Sequence, residues 1–433
     1  MRRRDFVRLG LAGAAAAAVS GCTPATDADV LRFEGWDFEP QLVQQNLDRF
    51  LSLNPDLKIE YTPITSAQFV QKLTAEFIGG AGPDVMYMYD DTLASAVEAE
   101  WLQPLDDLPG VKEIYDASYP VNQAAMTYNG LRYGVPYYTD TQALIYNADI
   151  LAKAGFRKPP RTLDELEAQS IKIKEKGLVD FPIGISAQLQ DTAATWIWAL
   201  IFANEQDMFA EGHRPVMSEQ GSATVGVLDW VHRASLQSKV IDPAAVQTLP
   251  IPADNALMAG QYAFMIAARY GARKYNNPEK SKVAGKIKVA HVPGLEASTK
   301  GTVGITRMYC LNADTKLLDQ SVRLMNYLGG FDENGEAYTA KFWFAEQGLG
   351  FPFPQLSKDR DIQKALREWI DPKVYEELSE SAVARSLTAA PWYNEFETAL
   401  QSTVQEVLIG DRTPSDAAAH LDASAVSLSK KYE

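Results

Sequence analysis

The chain has 433 residues, 46% of them hydrophobic and 22% charged, a balance typical of globular proteins with a sizeable core. Its formal net charge of −15 argues against nucleic acid and anionic lipid surfaces as partners, but not against a neutral ligand. The length suggests two or three domains and is also compatible with one large α/β unit.

The N-terminal residues form a leader that we exclude from the fold. Positive charges in "MRRRDFVRLG" precede a short apolar run, "LAGAAAAAVSGC", as in a secretory signal, and the run is too short to span a bilayer as a stable helix. The early Arg-Arg pair resembles a twin-arginine export signal, and "VSGC" resembles a lipobox. We predict a lipoprotein signal peptide over 1–21, lipidation of Cys22 and a polar tether over 22–29. An ordinary cleaved signal with a chance cysteine is the alternative.

The cysteine count bears on how the chain is stabilised. If Cys22 carries lipid, Cys310 has no partner within the chain, since these are its two cysteines. We therefore expect no intrachain disulfide, so stability has to come from burial of the core.

Several βα units can be predicted directly after the leader. Strands are expected at "VLRFEGW", "LKIEYTP" and "PDVMYMYDD", and helices at "QLVQQNLDRFLSLNP" and "SAQFVQKLTAEFIGGAG", the second starting with an N-cap-like Ser66. This β-α-β-α-β order predicts an α/β layer fold with parallel strands.

The rest of the chain alternates helices with a few strands. Helices are predicted at "TLDELEAQSIKIKEKG", "TWIWALIFANEQ", "GVLDWVHRASLQ", "DIQKALREWI" and "EFETALQSTVQEVLIG", and strands at "YAFMIAA", "KIKVAHVP" and "GITRMYCLN". Trp196, Trp198 and Trp230 occupy apolar helical faces, so we expect them in the core. The sequence contains no convincing repeat and no long flexible linker.

The motifs of common enzymes are absent from the sequence. The four histidines lack zinc-ligand spacing, and neither a G-x-S-x-G elbow nor a Walker A loop occurs. The glycines of "GGAGPD" end a helix and precede a strand, the reverse of a phosphate loop. We predict a non-enzymatic protein without cofactor or metal, although a glycosidase that uses Asp90 or Asp91 with a distant carboxylate stays open.

Aromatic residues stand beside charged ones at four predicted strand ends: Trp36-Asp37, Tyr89-Asp90-Asp91, Tyr138-Thr139-Asp140 and Arg269-Tyr270. Ligands of open α/β sheets bind beyond the carboxyl ends of strands. Aromatic rings stack on the C–H faces of sugars, while carboxylates accept hydrogen bonds from their hydroxyls. Any single pair also fits a turn aspartate beside a half-buried ring, but the recurrence predicts a site for a polyhydroxylated ligand.

Several sequence blocks, in order, resemble one family. They are "FLSLNPDLKIEY", "FIGGAGPDVMYMYDD", "YGVPYYTDTQALIYNADILAKAGFRKPPRTLDELE", "ALMAGQYAFMI", "KVAHVPG" and "VLIGDRTPSDAAAHL". Together with the leader they resemble the extracellular (periplasmic-type) solute-binding proteins of ABC importers, in the sugar-binding family 1 that includes maltose-binding protein. The resemblance covers essentially the whole mature chain.

The resemblance implies a two-lobe, periplasmic-binding-protein-like α/β fold (type II) with a ligand cleft between the lobes. Hinge crossings are expected near Asp140, His291 and Gly330, and the form closed around ligand is the one that a permease recognises. The implied lobes are an N-lobe of 30–139 plus 292–330 and a C-lobe of 140–291 plus 331–433. In "VPYYTDTQALIYN" the polar half is then a hinge crossing and "ALIYN" is the buried strand that opens the second lobe.

The resemblance also implies a set of ligand contacts by position. They are Trp36, Asp37, Asp90, Asp91, Tyr138, Asp140, Gln190, Asp191, Arg269, Tyr270 and Trp392. Where the family often has a stacking tryptophan after "FMIAA", this chain has Arg269-Tyr270. That departure leaves the sugar undefined, and an arginine here would suit an acidic or sulfonated sugar.

The resulting hypothesis is a monomeric, lipid-anchored extracytoplasmic receptor, in the periplasm or at the cell surface. It would deliver a sugar or oligosaccharide to the membrane permease subunits of an ABC transporter. Two alternatives stay open. The same fold could bind ferric iron or a cationic small molecule, with Tyr137 and Tyr138 as phenolate ligands. The chain could also be a secreted carbohydrate-active enzyme that uses Asp91 or Asp140.

Overall fold

The structure is a computed structural model that describes residues 29–189 and 194–432. Its strands are β1 (Val30–Trp36), β2 (Lys58–Ile64), β3 (Val85–Tyr89), β4 (Thr127–Tyr128), β5 (Leu131–Arg132), β6 (Gly134–Asn147), β7 (Ile183–Gly184), β8 (Phe209–Ala210), β9 (Arg214–Pro215), β10 (Phe264–Ala268), β11 (Ile287–Ala290), β12 (Thr302–Leu311) and β13 (Ala382–Val383).

The α-helices surround these strands. They are α1 (Pro40–Leu53), α2 (Ser66–Ile78), α3 (Leu93–Glu98), α4 (Val111–Ala117), α5 (Pro120–Ala125), α6 (Ala148–Ala154), α7 (Leu163–Glu175), α8 (Thr195–Phe202), α9 (Ala223–His232), α10 (Pro250–Met258), α11 (Gly271–Tyr275), α12 (Leu318–Gly329), α13 (Tyr338–Gln347), α14 (Arg360–Leu366), α15 (Pro372–Glu380), α16 (Tyr393–Ile409) and α17 (Pro414–Tyr432).

The predicted β-α-β-α-β start is confirmed. β1 pairs in parallel with both β2 and β3, as expected of strands joined by crossover helices. One detail of the prediction is wrong, because the N-cap of α2 is Thr65 and not Ser66. Ser66 is already helical, and its backbone N–H and hydroxyl both donate to Asp37 Oδ1 at 3.0 Å. The carboxylate of Asp37 therefore supplies the capping acceptor that no neighbouring side chain provides.

Within the described ranges the main sheet has nine strands, in the order β2-β1-β3-β12-β6-β10-β7, with β11 added to β6 and β13 added to β12. The 14-residue strand β6 is shared by two parts of this sheet. Its residues 134–141 pair antiparallel with β12, and its residues 142–146 pair antiparallel with β10, with 144–147 also pairing with β11. The whole stretch "VPYYTDTQALIYN" is thus one continuous strand, and its polar and apolar halves have different partners.

Two hydrophobic clusters form the core and meet on β6. The first contains β1, β3 and β12 and extends over much of 337–378, while the second contains α8, α9 and α16. Leu144 belongs to the second cluster and Ile145 to the first, because successive side chains of a strand point to opposite faces. The mixed α/β architecture is as predicted, whereas the lobe boundaries derived from the resemblance stay a prediction.

The three tryptophans expected in the core are buried. Trp198 is 0% exposed and Trp230 is 1% exposed, and both lie with Trp196 in the second cluster. Cys310 is a buried free thiol on β12, and burial raises its pKa.

Some predictions concern residues outside the described ranges. The signal peptide over 1–21, the lipidation of Cys22 and nearly all of the tether over 22–29 fall there. Within residues 29–189 and 194–432, no helix combines the length and apolar character needed to cross a membrane.

Candidate functional site

Asp140 lies on the shared strand β6, where the strand passes from one set of partners to the other. In the antiparallel register Ala268, the last residue of β10, faces Gln142, so the chain that follows β10 runs past Asp140. Arg269 Nε donates to Asp140 Oδ1 at 3.0 Å, and the backbone N–H of Tyr270 donates to Oδ2 at 3.0 Å. Burial raises the pKa of the Asp140 carboxyl, while the Arg269 guanidinium opposes that rise.

The side chain of Arg269 is buried and makes its contacts with other residues of the protein. Its Nη1 donates to the Tyr375 carbonyl at 3.0 Å and to Ser379 Oγ at 2.8 Å, both on α15. The guanidinium carbon lies 3.6 Å from the centroid of the Tyr375 ring. Arg269 is 1% exposed, and its Nη2 is buried without a hydrogen-bond partner among the residues that the structure describes. The residue that replaces the family's stacking aromatic therefore anchors α15 to β6 and β10.

Asp90 and Asp91, directly after β3, form a second ionic group with two arginines. Arg307 on β12 lies opposite Tyr89, and its Nη1 donates to Asp90 Oδ1 at 2.5 Å. Arg385 Nη2 lies 3.5 Å from both Asp90 Oδ1 and Asp91 Oδ2. The side chains of Asp90, Arg307 and Arg385 are all less than 9% exposed.

Arg385 connects this ionic group to the second hydrophobic cluster. It follows β13, and its guanidinium donates to the hydroxyl of Tyr393 and lies 5.2 Å from the centre of that ring. Tyr393 begins α16, and Glu397 on the same helix accepts a hydrogen bond from Trp198 Nε1 of α8 at 3.0 Å. One buried arginine, Arg385, thus joins the carboxylates after β3 to the first turn of α16.

Trp36 belongs to an aromatic layer at the end of β1. Its ring stacks on Tyr89 with centroids 4.7 Å apart and an interplanar angle of 10°, and it lies 5.9 Å from the ring of Tyr137. Trp36 is 6% exposed. Asp37 next to it is exposed and engaged with Ser66 at the start of α2.

Tyr138 lies between the two ionic groups. It faces Arg307 in the pairing of β6 with β12, and its side chain remains half-buried. Burial raises its pKa, with Arg307 acting to lower it and Asp140 acting to raise it. Tyr270 is also half-buried, and burial, together with the neighbouring Tyr138 and Asp140, raises its pKa. Both phenols are therefore neutral hydrogen-bonding groups at physiological pH.

Trp392 packs in the second cluster, against Phe209 and Phe396 with ring centroids about 6 Å apart. It is 4% exposed and directly precedes Tyr393, the partner of Arg385. Gln190 and Asp191 lie outside the described residues, so their place relative to the others stays a prediction.

Most of the predicted contacts thus lie in one connected region. Trp36, Asp90, Asp91, Tyr138, Asp140, Arg269 and Tyr270 are linked by contacts at the ends of β1, β3 and β10 and in the middle of β6. The prediction that Tyr138-Thr139-Asp140 stands at a strand end is wrong, because β6 continues through these residues to Asn147. Sequence reasoning missed Arg307 and Arg385. A signal existed for Arg307, a lone charge inside the apolar strand "GITRMYCL", but not for Arg385, whose segment reads as an ordinary loop.

Metal binding was one of the alternatives for this region. Among residues 29–189 and 194–432, no group of three or more His, Cys, Asp and Glu side chains is placed to hold a metal ion. Tyr137, proposed as a phenolate ligand, is 2% exposed and stacks on Tyr87 with centroids 4.6 Å apart. Burial raises the pKa of Tyr137, which disfavours the phenolate.

The two halves of β6 pair with different strands, and two hydrophobic clusters meet on this strand. This arrangement agrees with the two-lobe fold of solute-binding proteins. The chain belongs to that class: the model of the family "Bacterial extracellular solute-binding protein" matches residues 38–332, more than half of the chain. The fold and family predicted from the sequence are confirmed.

Individual relatives agree with this assignment. The chain is 27% identical over 355 residues to a probable ABC transporter-binding protein of Deinococcus radiodurans, covering 78% of this chain and 79% of that one. Its fold is similar to that of maltose-bound T. maritima MalE3, with a TM-score of 0.78, 20% identity and coverage of 92% and 99%. The GacH receptor of Streptomyces glaucescens, solved unliganded and with acarbose, gives a TM-score of 0.78 at 21% identity, with coverage of 93% and 99%.

Proposed function

We propose that this protein is a lipid-anchored extracytoplasmic receptor that binds an uncharged sugar or oligosaccharide and delivers it to an ABC transporter permease. The observation that carries the ligand class is charge pairing. Asp90, Asp91 and Asp140 each lie within 3.5 Å of an arginine of the same chain. The candidate site is polar and aromatic, yet these three predicted carboxylates are already paired with arginines, and the exposed Asp37 accepts hydrogen bonds from Ser66.

This pairing weighs against charged ligands. A cationic ligand needs carboxylates that are not held by internal arginines, and an acidic sugar needs a cation that can reach it. Arg269, the residue that suggested an acidic sugar, is 1% exposed and engaged with Asp140 and Ser379. Tyr138 and Tyr270 are only half-buried, and aromatic rings that carry hydroxyls suit neutral hydroxylated ligands.

Catalysis is weakly supported by the same geometry. Asp140, a candidate catalytic carboxylate, is 1% exposed and receives hydrogen bonds from Arg269 and Tyr270. A general acid or nucleophile has to reach the substrate. Membership of a solute-binding family and similarity to proteins solved with maltose and acarbose both support a receptor.

A thermal-shift screen tests the ligand class. The panel contains neutral mono- and oligosaccharides, glucuronate, spermidine and ferric citrate. We expect one neutral sugar class to raise the melting temperature, since a ligand at 100 times its Kd stabilises by about 2.7 kcal/mol. Calorimetry with that sugar should give a Kd on the order of 1 μM. Stabilisation by spermidine or iron alone would refute the sugar assignment, and conversion of the sugar to products would identify an enzyme.

A pair of tyrosine variants locates the site. Tyr138→Ala should weaken binding of the identified sugar at least tenfold, about 1.4 kcal/mol. Tyr128→Ala is the matched control, because Tyr128 is also half-buried but donates to Glu98 away from the ionic groups. Equal affinity of the two variants for the sugar would show that Tyr138 does not contact it and that the binding site lies elsewhere.

Anchoring and delivery are tested separately. Mass spectrometry of the N-terminal peptide should detect diacylglycerol on Cys22, and Cys22→Ser should release the chain from the membrane fraction. Reconstitution with the permease encoded beside its gene should make uptake of the sugar depend on this protein.

A further inference from the structure

A cavity of about 420 Å³ lies at the far end of the shared strand from the candidate sugar site. Its wall includes Tyr146, near the end of β6, and residues 288–290 of the adjoining strand β11. Tyr146 lies six positions after Asp140, so these two residues are roughly 20 Å apart along the strand. The volume falls in the range of small-molecule pockets, about 300 to 1,000 Å³.

The cavity has an apolar wall with a large aromatic ring. Trp369 and Ile370 line it from the segment before α15, and Val289 and Val292 line it from β11 and the residues after it. All four are less than 9% exposed, which marks them as fixed core side chains. This wall offers a flat, preformed surface to a planar apolar group.

The rim of the cavity is cationic although the chain as a whole carries a net charge of −15. The cationic side chains of Arg161, Lys288 and Lys300 line it, and Asp371 is the one carboxylate among the described lining residues. An adjoining cavity of about 400 Å³ shares Lys288 and Asp371 and adds Arg367.

The acidic groups around this rim are already engaged. Asp371 caps α15 by accepting from the backbone N–H of Lys373 at 2.9 Å. Glu377 accepts from His291 at 2.8 Å and from Lys300 at 3.3 Å. Arg161 lies 3.8 Å from Glu165, and Lys288 Nζ donates to the carbonyl of Glu368 at 3.4 Å, with no carboxylate of the described residues in a salt bridge to it. Positive charge therefore remains at the mouth, most directly at Lys288.

We propose that this cavity is a second ligand site, for an aromatic carboxylate. The ring would lie against Trp369 and the valines, and the carboxylate would be held at the rim by Lys288 with Arg161 or Arg367 nearby. The proposal is independent of the sugar site, because no residue of that site lines the cavity.

Calorimetry on the full chain without sugar tests the proposal, with indole-3-acetate as the probe and indole-3-acetamide as its neutral counterpart. We expect the acid to bind with a Kd of about 1 mM or tighter, and the amide at least tenfold more weakly. No measurable binding of the acid, or equal binding of acid and amide, would overturn the proposal.

Three variants locate the binding. Ala297→Trp should abolish it, because the exposed Ala297 lines the cavity and a large side chain can fill it. Lys288→Ala should weaken it at least tenfold. Lys282→Ala is the control, since this exposed lysine precedes the same strand without lining the cavity, and should change Kd less than twofold. Unchanged binding in both cavity variants would overturn the proposal, and Lys288→Ala alone decides if Ala297→Trp fails to fold.

Discussion

Arg269 and Asp140 form a salt bridge of 3.0 Å in which both side chains are 1% exposed. The pair joins the residues after β10 to the middle of β6, and Arg269 extends the connection to α15 through Ser379. A buried ion pair is sensitive to the loss of one partner, because the other charge is then left without compensation. Asp140 was predicted as a ligand contact, and its surroundings give it a structural role as well.

Asp140→Ala should therefore destabilise the unliganded protein by about 3 to 5 kcal/mol, since it leaves the Arg269 guanidinium buried and unpaired. Urea unfolding followed by circular dichroism measures the change. Asp116→Ala is the control, because Asp116 is 53% exposed and pairs with Lys112 only at the surface, where about 0.5 kcal/mol is expected. A stable Asp140→Ala protein that no longer binds sugar would instead show that Asp140 serves only the ligand.

The contact between Asp90 and Arg385 gives a second prediction. Arg385 also binds Tyr393, so it links the end of β3 to α16. A double-mutant cycle with Asp90→Asn and Arg385→Met should give a coupling free energy of about 1 to 3 kcal/mol, because both side chains are buried. The exposed pair Arg214 and Glu219 provides the control cycle, with an expected coupling of about 0.5 kcal/mol or less. Equal coupling in the two cycles would mean that Arg385 does not hold these elements together.

Local patterns were enough to predict an α/β fold and its first elements, whereas the two-lobe arrangement was predicted from the family resemblance. The period-2 and helical patterns of the first 60 residues after the leader place β1 to β3 and the helices between them, because each element buries one face. Asp37 was the exception there: its capping of α2 depends on a contact across 29 residues, which no local pattern reveals.

The candidate site could be predicted only in outline. Aromatic and acidic residues at strand ends indicated the region, since neighbouring strand ends converge in a sheet. The partners of the carboxylates were not predictable, because Arg307 and Arg385 reach Asp90 across 217 and 295 residues. The antiparallel register of β10 on β6 likewise decides that Arg269 turns toward Asp140, and register is not visible in composition.

Glu34 should make stability depend on pH. This β1 residue is 3% exposed, and burial together with Glu76 raises its pKa to about 7, against the opposing effects of Lys72 and Arg32. The folded state therefore holds a proton that the unfolded chain, with a pKa near 4.5, releases. The contribution of Glu34 to the free energy of unfolding should thus fall as pH rises from about 4.5 to about 7, by at most about 3 kcal/mol.

Comparison of wild type with Glu34→Gln isolates this contribution. The variant should be similar to wild type at pH 4.5 and more stable at pH 7.5, as measured by urea unfolding at both values. Glu60→Gln on the neighbouring strand β2 is the control, since Glu60 is exposed and its replacement should have the same small effect at both pH values. A Glu34→Gln variant that loses stability on going to pH 7.5 as wild type does would contradict the assignment.

Gly350 should be intolerant of any side chain, because it lies directly against the shared strand. A Cβ atom there would come within 2.0 Å of the Thr139 carbonyl oxygen and 2.9 Å of Arg269 Nη2. The backbone N–H of Thr139 donates to the Gly350 carbonyl at 3.1 Å, so the two backbones are held together at this point. Gly350→Ala should cost about 3 kcal/mol of stability, since backbone has to move to relieve the overlap.

Gly79→Ala is the matched control for this close approach. A Cβ on Gly79 would lie 3.3 Å from its nearest neighbour, and the residue has helical backbone angles at the end of α2, so the effect should stay within about 1 kcal/mol. Thermal unfolding of the three proteins measures the difference. If Gly350→Ala is as stable as Gly79→Ala, the segment around Gly350 can move away from β6, and its contact with Thr139 does not hold the crossing strand.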